Sequence, residues 1–147
     1  MTQRFQITID CNDPDVMTRF WAEALPDYSL QPPPQGHDTW REYWLSVGVP
    51  EEELGEGTDR LESSTGGPQI WFQHVPETKS MKNRMHFDLL VGGGRVVPIE
   101  ERRDRVRAEA ERLEALGASV ILESDTPEFD HFFIAMRDPE GNEFDVV

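Results

Sequence analysis

Gln6, Gln73, His86 and Asp145 are donor types that a divalent cation takes, at positions matched between the two halves of the chain. Each falls in a stretch alternating apolar and polar residues, the period of a strand with one buried face. Ile7 and Ile9 oppose Gln6, Thr8 and Asp10, and Phe72 opposes Trp71 and Gln73. Met85, Phe87 and Leu89 oppose His86 and Asp88, and Phe144 and Val146 oppose Glu143, Asp145 and Val147. If the apolar faces pack on helices, the polar faces turn toward the inside of a curved sheet. An imidazole, a carboxylate and two amides there would hold a divalent metal and leave positions open for water or substrate. Asp145 and Glu143 are the candidate catalytic groups, as ligand or base.

These positions must be set by the elements around them, and the chain presents the same series of elements twice. Residues 5–10 alternate as a strand; Asp13-Pro14 supplies an N-cap and a first-turn proline, and Val16, Met17, Phe20, Trp21 and Ala24 follow at helical spacing. Strands are expected at 28–30, 39–47 and 69–75, with a long mobile loop over 50–68, rich in Glu and Gly. The second half gives a strand at 84–91, broken by Gly92-Gly93-Gly94. A helix over 98–116 carries Ile99, Val106, Ala110 and Leu113 on one stripe, and Gly117 is its C-cap. Strands follow at 119–123, 131–136 and 143–147. The expectation is an α+β fold: one domain over 1–147, built from two βαβββ modules at about 1–78 and 79–147 and joined near 76–83. The modules would form a curved mixed sheet around a cavity, with the helices outside. Gln6 is matched to His86, and Gln73 to Asp145.

Composition excludes several function classes. A formal net charge of −15 and a pI near 4.5 argue against nucleic acid and anionic membranes as partners. Cys11 is the sole cysteine, so no internal disulfide forms and a reducing cytoplasm is expected. No apolar run approaches the roughly 20 residues of a membrane span, and residues 1–5 lack the apolar stretch of a signal peptide.

Each residue has a plainer reading beside the chemical one. His86 could be a histidine hydrogen-bonded to Asp88, and Asp145 and Glu143 could be edge-strand carboxylates that deter aggregation. Trp71 shares the polar face with Gln73 as a candidate cavity wall. Trp40 and Trp44 would line its mouth or meet a partner subunit. The three glycines at 92–94 have no Lys-Ser or Lys-Thr after them, so they read as a connection and not a phosphate loop. The arginines from Arg102 to Arg112 alternate with glutamates as a solvated, ion-paired face. Lys82 and Arg84 are the cations nearest the expected cavity.

The chain resembles the vicinal oxygen chelate superfamily, and within it the small glyoxalase-like proteins. The resemblance is carried by Asp13-Pro14 through Phe20-Trp21, by Phe72-Gln73-His74-Val75-Pro76-Glu77 with Lys79, by Lys82-Asn83-Arg84-Met85-His86-Phe87-Asp88-Leu89, and by Asp138-Pro139-Glu140-Gly141-Asn142-Glu143-Phe144. It implies metal ligands on the first and last strands of each module, falling here on Gln6, Gln73, His86 and Asp145. Trp71, Asp88 and Arg84 are the candidate substrate contacts. It further implies one divalent ion (Mn, Ni, Co, Fe or Zn), lyase or isomerase action on a small oxygenated substrate, and a homodimer. The rival implication is a metal-free small-molecule binder like the drug-sequestering, bleomycin-resistance members of the superfamily.

Overall fold

The computed structural model describes residues 3–55 and 57–147. Its contacts divide the chain into two compact units, Met1–Thr78 and Lys79–Val147. The fold is α+β, and each unit holds a four-stranded mixed sheet of βαβββ order.

In the first unit, strand Gln6–Cys11 (β1) leads into helix Pro14–Ala24 (α1). The Asp13 carboxylate accepts from the Val16 N–H at 3.1 Å and Pro14 opens the first turn, so the helix starts where its sequence says it should. Strand Tyr28–Leu30 (β2), helix Trp40–Ser46 (α2), strand Arg60–Ser63 (β3) and strand Gln69–His74 (β4) follow. The sheet order is β1-β4-β3-β2, with β1 and β4 parallel and the other neighbours antiparallel. Met17, Phe20, Trp21 and Ala24 of α1 are buried, as are Leu61, Ile70 and Phe72 of the sheet. Burying each large apolar side chain contributes about 1.5–3 kcal/mol.

The third strand of this module is not where alternation placed it. Residues 39–47, expected to be a strand, form α2. Thr39 accepts from the Glu42 N–H at 3.1 Å, and the Glu42 carboxylate accepts from the Asp38 N–H at 2.9 Å, a near-reciprocal cap that starts a helix. The strand comes instead from 60–63, inside the span expected to be loop. Leu61 there is fully buried against Ile70 and supplies the apolar anchor.

The second unit repeats the plan with strand Asp88–Leu89 (β5), helix Ile99–Ala115 (α3) and strands Ser119–Thr126 (β6), His131–Arg137 (β7) and Glu143–Val146 (β8), in the order β5-β8-β7-β6. β5 is shorter than the 84–91 expected. Gly117, at φ +114, ends α3 with the Ala118 N–H donating to the Leu113 carbonyl at 3.0 Å. Between β7 and β8 the buried Asp138 carboxylate accepts from the N–H groups of Glu140 (3.0 Å) and Asn142 (2.9 Å), and Gly141 takes φ +90. This turn sets the register in which Ala135 opposes Asp145.

One arginine departs from the expected solvated face. Arg102 lies on the buried stripe of α3 with Val106, Ala110 and Leu113. It donates to the carbonyls of Val97 (2.9 Å) and Asp130 (3.0 Å) and pairs with the Asp130 carboxylate. Asp130 is the one non-glycine with positive φ among the described residues, so the arginine holds a strained corner closed. No helix of the described residues is long and apolar enough to cross a membrane. Arg102→Met is expected to cost about 1–3 kcal/mol in urea denaturation, the range for leaving buried acceptors unpaired. Arg112→Met, on the exposed face, should cost less than about 1 kcal/mol.

Candidate functional site

The parallel pairing of β5 and β8 sets Asp88 directly beside Asp145. His86 lies two residues before Asp88, on the same side of the chain. The imidazole Nε2 stands 3.3 Å from Asp88 Oδ1 and 3.7 Å from Asp145 Oδ2. The donor atoms of His86, Asp88 and Asp145 all fall within 4.8 Å of one another. Burial pushes the Asp145 carboxyl above its ordinary value; the His86 charge opposes that shift, the Asp88 carboxylate adds to it, and Lys82 and His131 oppose it more weakly. Two carboxylates and an imidazole on one patch fit a first-row divalent ion, whose charge would relieve the repulsion between Asp88 and Asp145.

Glu143, one side-chain alternation before Asp145, has a different environment. Burial raises its proton affinity, but donation from the Asn83 N–H and its own N–H, together with the Lys79 ammonium, outweighs that and holds it at about 2. The Asn83 bond is 2.8 Å and the Lys79 contact 3.1 Å. Glu143 thus anchors residues 79–83, the approach to His86. Arg84 is exposed and makes no ion pair among the described residues.

In the first unit the register separates the two amides. Gln6 pairs with Gln69, whereas Gln73 pairs with Asp10. Four positions along a strand is about 13 Å, so β1 and β4 do not bring Gln6 and Gln73 together. The expected match of Gln73 to Asp145 also shifts by two residues. Burial alternates identically in both last strands, with Ile70 and Phe72 buried in β4 and Phe144 and Val146 in β8. The residue between the buried pair is Trp71 in one and Asp145 in the other. Trp71 pairs with Thr8 as Asp145 pairs with Asp88, and its indole N–H donates to Asp59 at 2.8 Å. Alternation told which face each residue takes but not how far along the strand its partner sits. A separate hollow of about 670 Å³ in the first unit, lined by Asp15, Trp44, Glu52, Asp59 and His74 among others, contains none of the expected site residues.

Residues 6–147 match the family model described as a glyoxalase-like domain. The chain belongs to the glyoxalase-like domain family. No curated protein gives a significant sequence match. Among solved structures it is similar to hypothetical protein SA1046 from S. aureus (TM-score 0.59, 13% identity, covering 99% of this chain and 93% of that one). It is also similar to a glyoxalase/bleomycin resistance protein/dioxygenase family enzyme from Burkholderia phytofirmans (TM-score 0.56, 17% identity, 96% and 94% covered). A third is a mutant of the fosfomycin resistance protein FosX from Listeria monocytogenes, complexed with Mn(II) and 1S,2S-dihydroxypropylphosphonic acid (TM-score 0.57, 14% identity, 99% and 89% covered). The glyoxalase-like chain therefore shares the vicinal oxygen chelate fold with these proteins.

The two carboxyls respond to pH with opposite signs. Glu143 is depressed from 4.5 to about 2, so its stabilisation is present above pH 4.5 and is lost as pH falls toward 2. Glu143→Gln is expected to flatten the acid limb of the stability curve in that window. Asp145 is raised, so its ionisation weakens the metal-free fold as pH climbs through its folded value. Asp145→Asn should therefore raise the melting temperature of metal-stripped protein at pH 7.

Proposed function

We propose that this glyoxalase-like protein is a metal-dependent lyase or isomerase acting on a small oxygenated substrate, with a divalent cation held by His86 and Asp145 and with Asp88 as the third donor in reach. The observation that carries the reading is the meeting of one imidazole and two carboxylates within 4.8 Å, the carboxylates on the first and last strands of the second module and the imidazole just before the first. When bound, such an ion supplies Lewis acidity toward a carbonyl or enediolate oxygen. The chain's own groups do the remainder. Asp145, placed beside Asp88 and His86, is positioned to accept a proton from carbon, while Glu143, at about 2 and already engaged by Asn83 and Lys79, positions the segment leading to His86. Ala135 opposes Asp145 across the β7–β8 ladder and leaves room beside it. Lys82, whose charge acts on Asp145, and Arg84, two residues before His86, supply positive charge.

A second reading is favoured by Trp71 itself. An indole stands in the first module where the second has Asp145, so the strong donors are not repeated, as suits a metal-free small-molecule binder.

Metal titration separates the two. Chelator-treated protein should melt higher with Mn²⁺, Ni²⁺, Co²⁺, Fe²⁺ or Zn²⁺, by the equivalent of about 2.7 kcal/mol at a hundred times the dissociation constant. His86→Ala and Asp145→Ala should abolish that shift, and Gln6→Ala and Gln73→Ala test the amides expected as further donors. No shift with any of the five ions, or an unchanged shift in His86→Ala, would leave the binder as the reading that stands.

A further inference from the structure

The polar face of the first sheet carries a row of side chains that the cation site does not use. Arg60 on β3 pairs directly with Trp71 on β4. Beyond Arg60 the same row reaches Gln31, whose backbone N–H donates to the Arg60 carbonyl at 3.0 Å just past the Leu30–Leu61 pair. The Arg60 guanidinium carbon lies 5.2 Å from the Trp71 ring centre and 5.9 Å from that of Trp40. Two indoles thus flank it, a placement that favours a cation and restricts its rotation.

The guanidinium's hydrogen-bonding capacity is largely unspent. Its one carboxylate neighbour, Asp59, stands at 3.4 Å from Nη1, long for a charge-assisted bond, and the other Asp59 oxygen is taken by the Trp71 indole. No protein acceptor meets the Nε and Nη2 edge among the described residues, and the side chain is 22% exposed. On Gln31, whose backbone N–H meets the Arg60 carbonyl, the side-chain Oε1 is buried without a hydrogen-bond partner. A buried acceptor left unpaired is unfavourable, and a ligand donor reached by a turn of the side-chain amide would satisfy it. The corresponding row of the second unit, Asp88, Asp145, Ala135 and Leu122, contains no cation.

We infer that Arg60 and Gln31 form a recognition site for a small 2-hydroxycarboxylate, the carboxylate on the open guanidinium edge and the adjacent hydroxyl donating to Gln31 Oε1. The inference goes beyond the cation site: it concerns the first unit alone and does not depend on metal binding. Arg60 pairs with such an anion through two parallel N–H donors, which a lysine ammonium does not reproduce.

The test uses full-length, metal-stripped protein and follows tryptophan fluorescence with lactate, with propionate, which lacks the hydroxyl, and with lactamide, which lacks the charge. Lactate should give a saturable change, propionate a weaker one and lactamide none. Arg60→Lys, which keeps the charge and should keep the fold, should weaken lactate at least tenfold. Gln31→Leu should bring lactate down to the level of propionate. Binding of lactamide equal to lactate, no saturable response to lactate, or unchanged lactate binding in Arg60→Lys overturns the inference. A metal-induced melting shift without lactate binding overturns it alone and leaves the cation site standing. Lactate binding without any metal shift does the reverse.

Discussion

Parallel pairing of the first and last strands is the constraint from which the rest of each module follows. Such a pair cannot be closed by a hairpin, so the chain must leave, cross by a helix and return through two antiparallel strands. β1 and β4, and likewise β5 and β8, are held side by side in this way although more than fifty residues separate them in sequence. The pairing sets residues from opposite ends of a module next to each other on one face. Asp88 beside Asp145 is its chemical consequence in the second unit, and Thr8 beside Trp71 in the first.

The same scaffold has been given different contents in its two copies. In the second unit the shared row holds two carboxylates and a small alanine, with an imidazole two residues away. In the first it holds an indole, a guanidinium and an amide. Burial of the Asp145 carboxylate next to Asp88 destabilises the charged form, an arrangement that structural need alone does not favour. Glu143 shows the contrast, since it is paired, hydrogen-bonded and strongly acidic. Neighbouring carboxylates on one strand thus take opposite roles through their partners.

Stability is distributed accordingly. The turn around Asp138 and Gly141 sets the register of β7 against β8, and Arg102 closes the corner at Asp130. Neither contact belongs to the cation patch: the turn leads into β8, which carries Asp145, and the corner leads into β7, the strand paired with β8. The glyoxalase-like family is defined by this scaffold, while solved relatives at 13–17% identity share its path and little of its side-chain detail.

Local chemistry determined much from sequence alone. Asp13-Pro14 placed the start of α1, Gly117 the end of α3, and the alternation of 143–147 the faces of Glu143, Asp145 and Val146, because caps and strand periods act over a few residues. The two-module order was legible for the same reason, as was the side of the strand on which His86 and Asp145 lie. Tertiary structure decided the rest. The Thr39–Glu42 cap was present in the sequence, but Trp40 and Trp44, four residues apart, also fit one face of a strand, and only packing chose the helix. Leu61 became a strand residue because Ile70 needed a buried partner. The register that joins Asp88 to Asp145 and parts Gln6 from Gln73 is a long-range property. A period of two says which face a residue takes, and only the paired strand says which residue stands beside it.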